Sequence, residues 1–377
     1  MRFAPSVDRR NTSSIKWDKY GGRDILPMWV ADMDFPSPPS VLLALRERID
    51  HGVFGYTHPP VSLIEAVRDY ARKHYRWTID ADWIVWLPGL VQGLNLACRS
   101  VGVAGDAVVT ATPVYPPFLH APGLASRTLT AVPLVLKGRD WSWDFAALEA
   151  AITDRTRLLL ICHPHNPIGR PWHPDEIQML LAIARKHNLV VCSDEIHCDL
   201  LLDEGMRHTP FAAFDPQFQT HTITLMAPSK TWNIAGLGCA FAIIPDRERR
   251  ARFIREMGGL VPSVNLLGYT AAEAAYRDSG EWHKDLIETL RANRQLLIEA
   301  FAQSPLKLTV PQATYLAWID ASSVDALNPL PAFECHGVGV SDGRDFGLPG
   351  WVRLNFGCST EMVNEAIRRL APLLRPG

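Results

Sequence analysis

No stretch of these 377 residues reaches the ~20 consecutive apolar residues that span a bilayer, so no membrane partner is expected. Met1-Arg2-Phe3-Ala4-Pro5-Ser6 runs into charged residues with no apolar stretch behind it, so a secretory signal is not expected there. Cysteine pairs are missing too. The seven cysteines, at 98, 162, 192, 198, 239, 335 and 358, are odd in number and never spaced as CxxC. Most sit in apolar segments and read as reduced core thiols of a cytoplasmic protein rather than as a disulfide framework. Cys192 and Cys198 flank an acidic segment, but nothing in their spacing favours a metal. Basic runs interleaved with aromatics are absent and the formal charge is only -2, which argues against nucleic acid. Neither a repeat nor a low-complexity segment occurs. What remains, 47% hydrophobic and 21% charged residues, is the composition of a soluble globular enzyme.

The length suggests one large domain and a smaller one. After an irregular first 35 residues, Ser37-Pro38-Pro39 reads as the start of a helix, with Ser37 as N-cap, an apolar stripe of Val41, Leu42, Leu45 and Ile49, and Gly52 ending it. A second helix is expected over 61–75. Apolar runs then alternate with helical patterns: strands at 83–87, 107–110, 129–134, 158–162, up to 193, up to 226 and 239–244, with helices opening at Gly89 and over 174–187. Continuously apolar strands separated by helices indicate an α/β fold whose mostly parallel sheet is buried on both faces. From about 265 the pattern changes to a long helical stretch broken near Ser279-Gly280, short strands at 308–310, 315–319 and 351–355, and a final helix from Thr360. This part reads as a separate α+β domain.

Two charges stand where buried strands should end. Asp194 closes Val190-Val191-Cys192-Ser193, and Lys230 follows Ile223-Thr224-Leu225-Met226 by a short turn. In open α/β sheets ligands bind at strand ends. An amine there, partly desolvated and so shifted toward its neutral form, can make a Schiff base. A carboxylate can hold a protonated pyridine nitrogen. Together they suit pyridoxal phosphate. Alternatively, Asp194 is a helix N-cap and Lys230 a surface lysine in a turn. Glu195 reads as structural, and His197 either reaches the cofactor phenolate or is a satisfied loop histidine.

Other strand ends add candidates. Asn166, in His163-Pro164-His165-Asn166-Pro167-Ile168-Gly169, offers an amide to the cofactor 3-oxygen; the adjacent prolines and the lack of a suitably spaced acid speak against a histidine-bound metal. Backbone N–H groups at Leu90 and Val91, where Gly89 opens a helix, would accept a phosphate. Tyr115 either stacks on the pyridine ring or is a core aromatic. Tyr56, in Phe54-Gly55-Tyr56-Thr57, could reach a phosphate across a dimer interface. Arg353 lies in the apolar strand Trp351-Val352-Arg353-Leu354-Asn355 and needs an anion, either a substrate carboxylate or a structural ion pair.

In this order, Gly55-Tyr56-Thr57, Pro88-Gly89-Leu90-Val91-Gln92-Gly93, Thr112-Pro113-Val114-Tyr115, His165-Asn166-Pro167-Ile168-Gly169, Ser193-Asp194-Glu195-Ile196-His197, Pro228-Ser229-Lys230-Thr231-Trp232-Asn233 and Arg353-Leu354-Asn355-Phe356-Gly357 resemble fold-type I pyridoxal-phosphate enzymes, the aspartate aminotransferase superfamily. Trp29-Val30-Ala31-Asp32-Met33-Asp34-Phe35, His51-Gly52-Val53-Phe54-Gly55-Tyr56 and Ala313-Thr314-Tyr315-Leu316-Ala317-Trp318 are similar to its MalY/PatB-type branch of cystathionine β-lyases. The resemblance implies a mostly parallel seven-stranded sheet between helices in a large domain over 45–270, and a small α+β domain from 1–44 plus 271–377. It implies that Lys230 carries the cofactor as a Schiff base and that Asp194 pairs with its ring nitrogen. Asn166 and His197 would meet the 3-oxygen, and Tyr115 would stack on the ring. Leu90, Val91, Ser229 and the other subunit's tyrosine, Tyr56, would hold the phosphate. Arg353, with Asn166, Tyr56 and Ala31, would line the substrate, a small amino acid, in a homodimer.

Two positions depart from the superfamily's phosphate grip. Ala227 stands where a serine or threonine is usual, and Gly238 where aspartate-type aminotransferases place an arginine. His197 replaces those enzymes' tyrosine, a feature the lyase branch shares. The activity implied is β-elimination from cystathionine or a related cysteine S-conjugate, giving pyruvate, ammonia and a thiol. The alternatives are an aminotransferase using the same residues, or a cofactor-binding regulator acting through a protein partner.

Overall fold

In a computed structural model, which describes residues 7–138 and 140–375, the apolar runs become strands of one sheet. They are β1 (Ile84–Leu87), β2 (Ala107–Thr112), β3 (Thr128–Pro133), β4 (Thr156–Cys162), β5 (Val190–Asp194), β6 (Thr222–Met226) and β7 (Ala240–Ile243), in the order β1-β7-β6-β5-β4-β2-β3. Pairing is parallel from β3 through β6, while β7 runs antiparallel to both of its neighbours. The segment Met1–Ser6 lies outside the described residues.

Helices cover both faces, which is why the central strands carry no polar face. The principal ones are α1 (Pro39–Asp50), α2 (Val61–Tyr75), α3 (Leu90–Ser100), α4 (Pro116–Leu124), α5 (Pro174–Lys186), α6 (Leu266–Asp278), α7 (Gly280–Phe301) and α8 (Thr360–Leu374). Strand alternation sends Cys192 and Leu160 to one side, against Leu94 and Ala97 of α3. It sends Val191, Leu159 and Ile161 to the other, against Ile177 and Leu180 of α5. Each leucine or isoleucine so buried contributes roughly 1.5–3 kcal/mol of transfer free energy, before the cost of ordering it.

A second, antiparallel sheet follows: β8 (Lys307–Thr309), β9 (Leu316–Asp320), β10 (Ser341–Asp342) and β11 (Trp351–Asn355), in the order β8-β9-β11-β10. It packs with α8, whose N-cap Ser359 accepts the Met362 N–H. Among the described residues no helix is long and apolar enough to cross a membrane.

The expected break near Ser279-Gly280 separates α6 from α7. Two expectations about α1 fail. Ser37 is not its N-cap: the helix starts at Pro39 behind Pro38, and the Ser37 hydroxyl donates instead to the Asn233 carbonyl at 3.0 Å. Of the expected stripe only Val41 is fully buried, and Ile49 is exposed. Unforeseen elements include α4, the helices Phe145–Ala151, Arg247–Met257 and Leu330–Cys335, and a hairpin of Val135–Lys137 with Asp140–Ser142. α4 holds an internal proline, Pro122, and begins on two more, so its sequence reads as loop.

Candidate active site

The carboxyl ends of the parallel strands converge. β5 ends on Asp194, and the neighbouring β6 leads through Ala227-Pro228-Ser229 to Lys230. Asn166 follows β4, Tyr115 follows β2 and caps α4, and Gly89 after β1 opens α3.

Asp194 is buried, and its Oδ1 accepts only the Ile196 N–H, at 3.1 Å. That is a local turn; no helix starts there, so the N-cap alternative fails. Loss of water lifts this carboxyl to about 7, aided by neighbouring Glu195 and opposed by the Ile196 N–H and Lys230. Glu195 is structural, as expected. It takes His208 Nε2 at 2.7 Å and the Phe211 N–H at 2.8 Å.

Lys230 is half-buried, and its Nζ donates to the Ala31 carbonyl at 2.5 Å. Desolvation, then the Arg353 charge, pulls the amine down to about 8, while Asp32 and Asp194 oppose. His197 is buried, with Nδ1 lacking a hydrogen-bond partner. Burial and the charges of Lys230 and Arg353 hold it down to about 3, so it is neutral at physiological pH.

Arg353 is buried in β11. It donates to Asn166 Oδ1 at 3.0 Å and to the Trp29 carbonyl at 3.0 Å, and its guanidinium lies 4.7 Å from the centre of the Phe346 ring. Among the described residues no ion pair holds it, which removes the structural salt-bridge alternative, and Nε has no partner. Burial lowers it to about 10. Tyr115 is raised by burial; Arg353 opposes this and Asp194 reinforces it.

Sequence reasoning placed Ala31 at the site but did not find how its segment is held over the pocket. Residues 28–35 form a strap whose carbonyls are held by distant side chains. Lys230 and Tyr315 take Ala31, Asn355 takes Val30 and Asp32 (2.6 and 2.7 Å), and Asn233 takes Met33 and Phe35. Asn355 lies two residues beyond Arg353 and so on the same strand face, which was the one available signal. Tyr56 is fully exposed, and its own chain does not bring it to this pocket. Leu90 is buried and Val91 exposed at the start of α3. Ser229 is half-buried, its carbonyl accepting the Ile234 N–H at 3.1 Å.

These groups fit pyridoxal phosphate. Asp194 is a buried carboxylate without a cation bonded to it, as a pyridinium partner needs. Lys230 is an amine shifted toward neutrality, and His197 Nδ1 is a buried polar atom awaiting a partner. The first turn of α3 has no side-chain cap, leaving N–H groups for a phosphate. The departure at 238 has a backbone reason. Gly238 has φ +59°, and a Cβ there would lie 3.2 Å from the Pro88 carbonyl, so an arginine would strain the loop.

The raised Asp194 carboxyl gives a pH prediction. Unfolded, it titrates near 3.8; folded without cofactor, near 7. Between these values unfolding releases a proton, so the cofactor-free protein loses stability as pH rises. Asp194→Asn should therefore raise the Tm of cofactor-free protein at pH 8, with the gain shrinking toward pH 5 as the wild-type carboxyl protonates. Affinity for pyridoxal phosphate should fall at least about tenfold, ~1.4 kcal/mol. A gain independent of pH in thermal melts would show that the carboxyl is not raised.

A lysine and a carboxylate at adjacent ends of a doubly covered sheet, facing a buried arginine from a second sheet, define a fold-type I pyridoxal-phosphate enzyme. The chain belongs to the aminotransferase class I and II family, whose sequence model matches residues 23–370. It is 38% identical to the cystathionine β-lyase PatB of Bacillus subtilis, across 99% of this chain and all of that protein. Its structure superimposes on that of OvoB with a TM-score of 0.97 at 43% identity, covering both chains fully. Cystalysin from Treponema denticola, solved with a pyridoxal 5'-phosphate cofactor, matches with a TM-score of 0.93 at 32% identity over 98% of each chain.

Proposed function

We propose that this protein is a pyridoxal-phosphate-dependent carbon–sulfur β-lyase acting on cystathionine or a related cysteine S-conjugate. The observation that carries the reading is the buried Arg353–Asn166 pair set beside Lys230 and Asp194. Bound pyridoxal phosphate supplies an electron-poor ring that stabilises negative charge at the substrate Cα.

The chain's own residues do the rest. Arg353 exchanges the Trp29 carbonyl for the substrate carboxylate and so fixes the orientation of the Cα–H bond. Lys230, leaving the Ala31 carbonyl, takes the Cα proton on Nζ. Asp194 would hold the cofactor's ring nitrogen in its protonated form. His197, neutral, sits beside Lys230 without adding charge. The Cβ–S bond then breaks with its electron pair on sulfur, which leaves as a thiol after gaining a proton. Hydrolysis by one water gives pyruvate and ammonia.

The resemblance to PatB over full length and the histidine at 197 favour elimination over transamination, the second reading. Incubation with cystathionine and no keto acid separates them. Many turnovers of pyruvate and thiol are expected; a single half-reaction that stops with an aminated cofactor sinks the lyase.

The working form is a cytoplasmic homodimer in which each chain lends Tyr56 to the other's phosphate site. Exposed Leu43, Ile49, Val53, Phe54 and Val61 gather around the end of α1 and the loop beyond it, and a second copy covers them. The free cysteines agree with a reducing compartment. Sedimentation equilibrium should give twice the chain mass, and an active monomer would refute this.

A further inference from the structure

Away from the pocket, a cleft of about 570 Å³ opens between the C-terminal end of α2, the chain around 198–208 and the first half of α7. Small-molecule sites commonly span roughly 300–1,000 Å³. Four cations line it: Lys73, Arg207, Lys284 and Arg291. Of the lining residues only Asp199 and Glu288 are acidic; Glu204 beside the cleft pairs with Arg291 at 3.9 Å, and Asp199 is turned into internal bonds. Its Oδ1 accepts the Tyr75 hydroxyl at 2.8 Å, and its carbonyl pairs with His283 Nε2 at 2.7 Å. Among the described residues Lys73, Arg207 and Lys284 make no ion pair, although acids stand nearby.

A second observation lies in the wall. His208 lines the cleft, is buried, and has an Nδ1 without a partner, while its Nε2 is fixed on Glu195. The turn from Asp194 to Asp199 therefore has two sides. Asp194 and His197 belong to the active site; Glu195, through His208, together with Cys198 and Asp199, belongs to the cleft.

We propose that this cleft binds a small oxyanion, a phosphate- or carboxylate-bearing molecule, between Lys73, Arg207 and Lys284, and that its occupancy adjusts the active site through the 194–199 turn. The cations give the charge complementarity, and the Tyr75–Asp199–His283 bonds give a fixed floor. The coupling needs no long path, because one hydrogen-bonded turn carries groups of both sites.

The test uses cofactor-loaded protein, so that the cofactor phosphate already fills its own site. Calorimetric titration at constant ionic strength is run with inorganic pyrophosphate and, separately, with citrate; the two arms tell phosphate from carboxylate. Saturable one-to-one binding is expected for at least one, with a Kd at or below about 1 mM. The charge-reversed variant Arg207→Glu/Lys284→Glu, checked for native circular dichroism, should bind at least tenfold more weakly, although Arg353 is untouched. If it does not fold, Lys73→Gln serves, with a smaller loss expected. Binding should change kcat/KM at least twofold in wild type and not in the variant. No saturable binding, or equal binding by variant and wild type, overturns the site. Binding that leaves kcat/KM unmoved overturns the coupling.

Discussion

Lys230→Ala should cost at least about 10⁴-fold in turnover, because one amine performs two jobs. In the proposed reaction it is the group that couples covalently to the cofactor and the base for the Cα proton. Its surroundings prepare it for both. Burial and Arg353 bring the amine down to about 8, within reach of its neutral form, and the Ala31 carbonyl at 2.5 Å holds it ready to be displaced. Among the described residues no other lysine stands at a parallel strand end to replace it. The fold should survive, since alanine removes a half-buried charge rather than a core side chain. The check has two parts. Thiol release should vanish, and borohydride should fix the cofactor onto residue 230 in wild type but nowhere in the variant, as read by mass spectrometry. A variant that keeps full activity removes Lys230 from the mechanism.

Arg353→Leu should reduce kcat/KM by about 10²–10³-fold, equivalent to about 3–4 kcal/mol for a desolvated, hydrogen-bonded charge contact. Leucine fills much of the volume and leaves Asn166 Oδ1 and the Trp29 carbonyl without their donor. A purely structural role would lower activity toward every substrate alike. Carboxylate recognition predicts something narrower: KM rises steeply, and an amine substrate lacking the α-carboxylate is turned over no worse than by wild type. Arg353→Lys should recover only part of the loss, since an ammonium cannot reproduce the planar fork. Equal losses on both substrates would return Arg353 to a structural role.

Much of this was legible in the chain. Strand ends were readable because a doubly buried strand must be apolar until it meets the ligand side, so Asp194, Lys230 and Arg353 stood out as interruptions. The break between α6 and α7 was readable from Ser279-Gly280. The strap was not. Trp29, Ala31 and Asp32 contribute carbonyls, which every residue has, and the donors that hold them lie far away in sequence. Tyr315 and Asn355 look like ordinary polar residues in strands until those carbonyls are placed against them. Ser37 misled for a related reason: local capping preference named it, but the carbonyl of Asn233 claimed its hydroxyl. The stripe on α1 failed as a buried face: only Val41 is fully buried, Leu42 and Leu45 are half-buried, and Ile49 is exposed.

The strap also sets when the enzyme can come into being. The Arg353 bond to Trp29 spans 324 positions and the Asn355 bond to Val30 spans 325. During synthesis the chain emerges N-terminus first, so Lys230 and Asn233 can hold part of the strap early, but the Arg353 and Asn355 bonds to Trp29 and Val30 form only after β11 has left the ribosome. A nascent chain already holding Asp194 and Lys230 but ending before β11 lacks Arg353 and Asn355. Closure by contacts of such long sequence separation is a late and slow event in folding. If Arg353 holds the substrate carboxylate as proposed, a chain that stops short of β11 should show no lyase activity even though it carries Lys230 and Asp194.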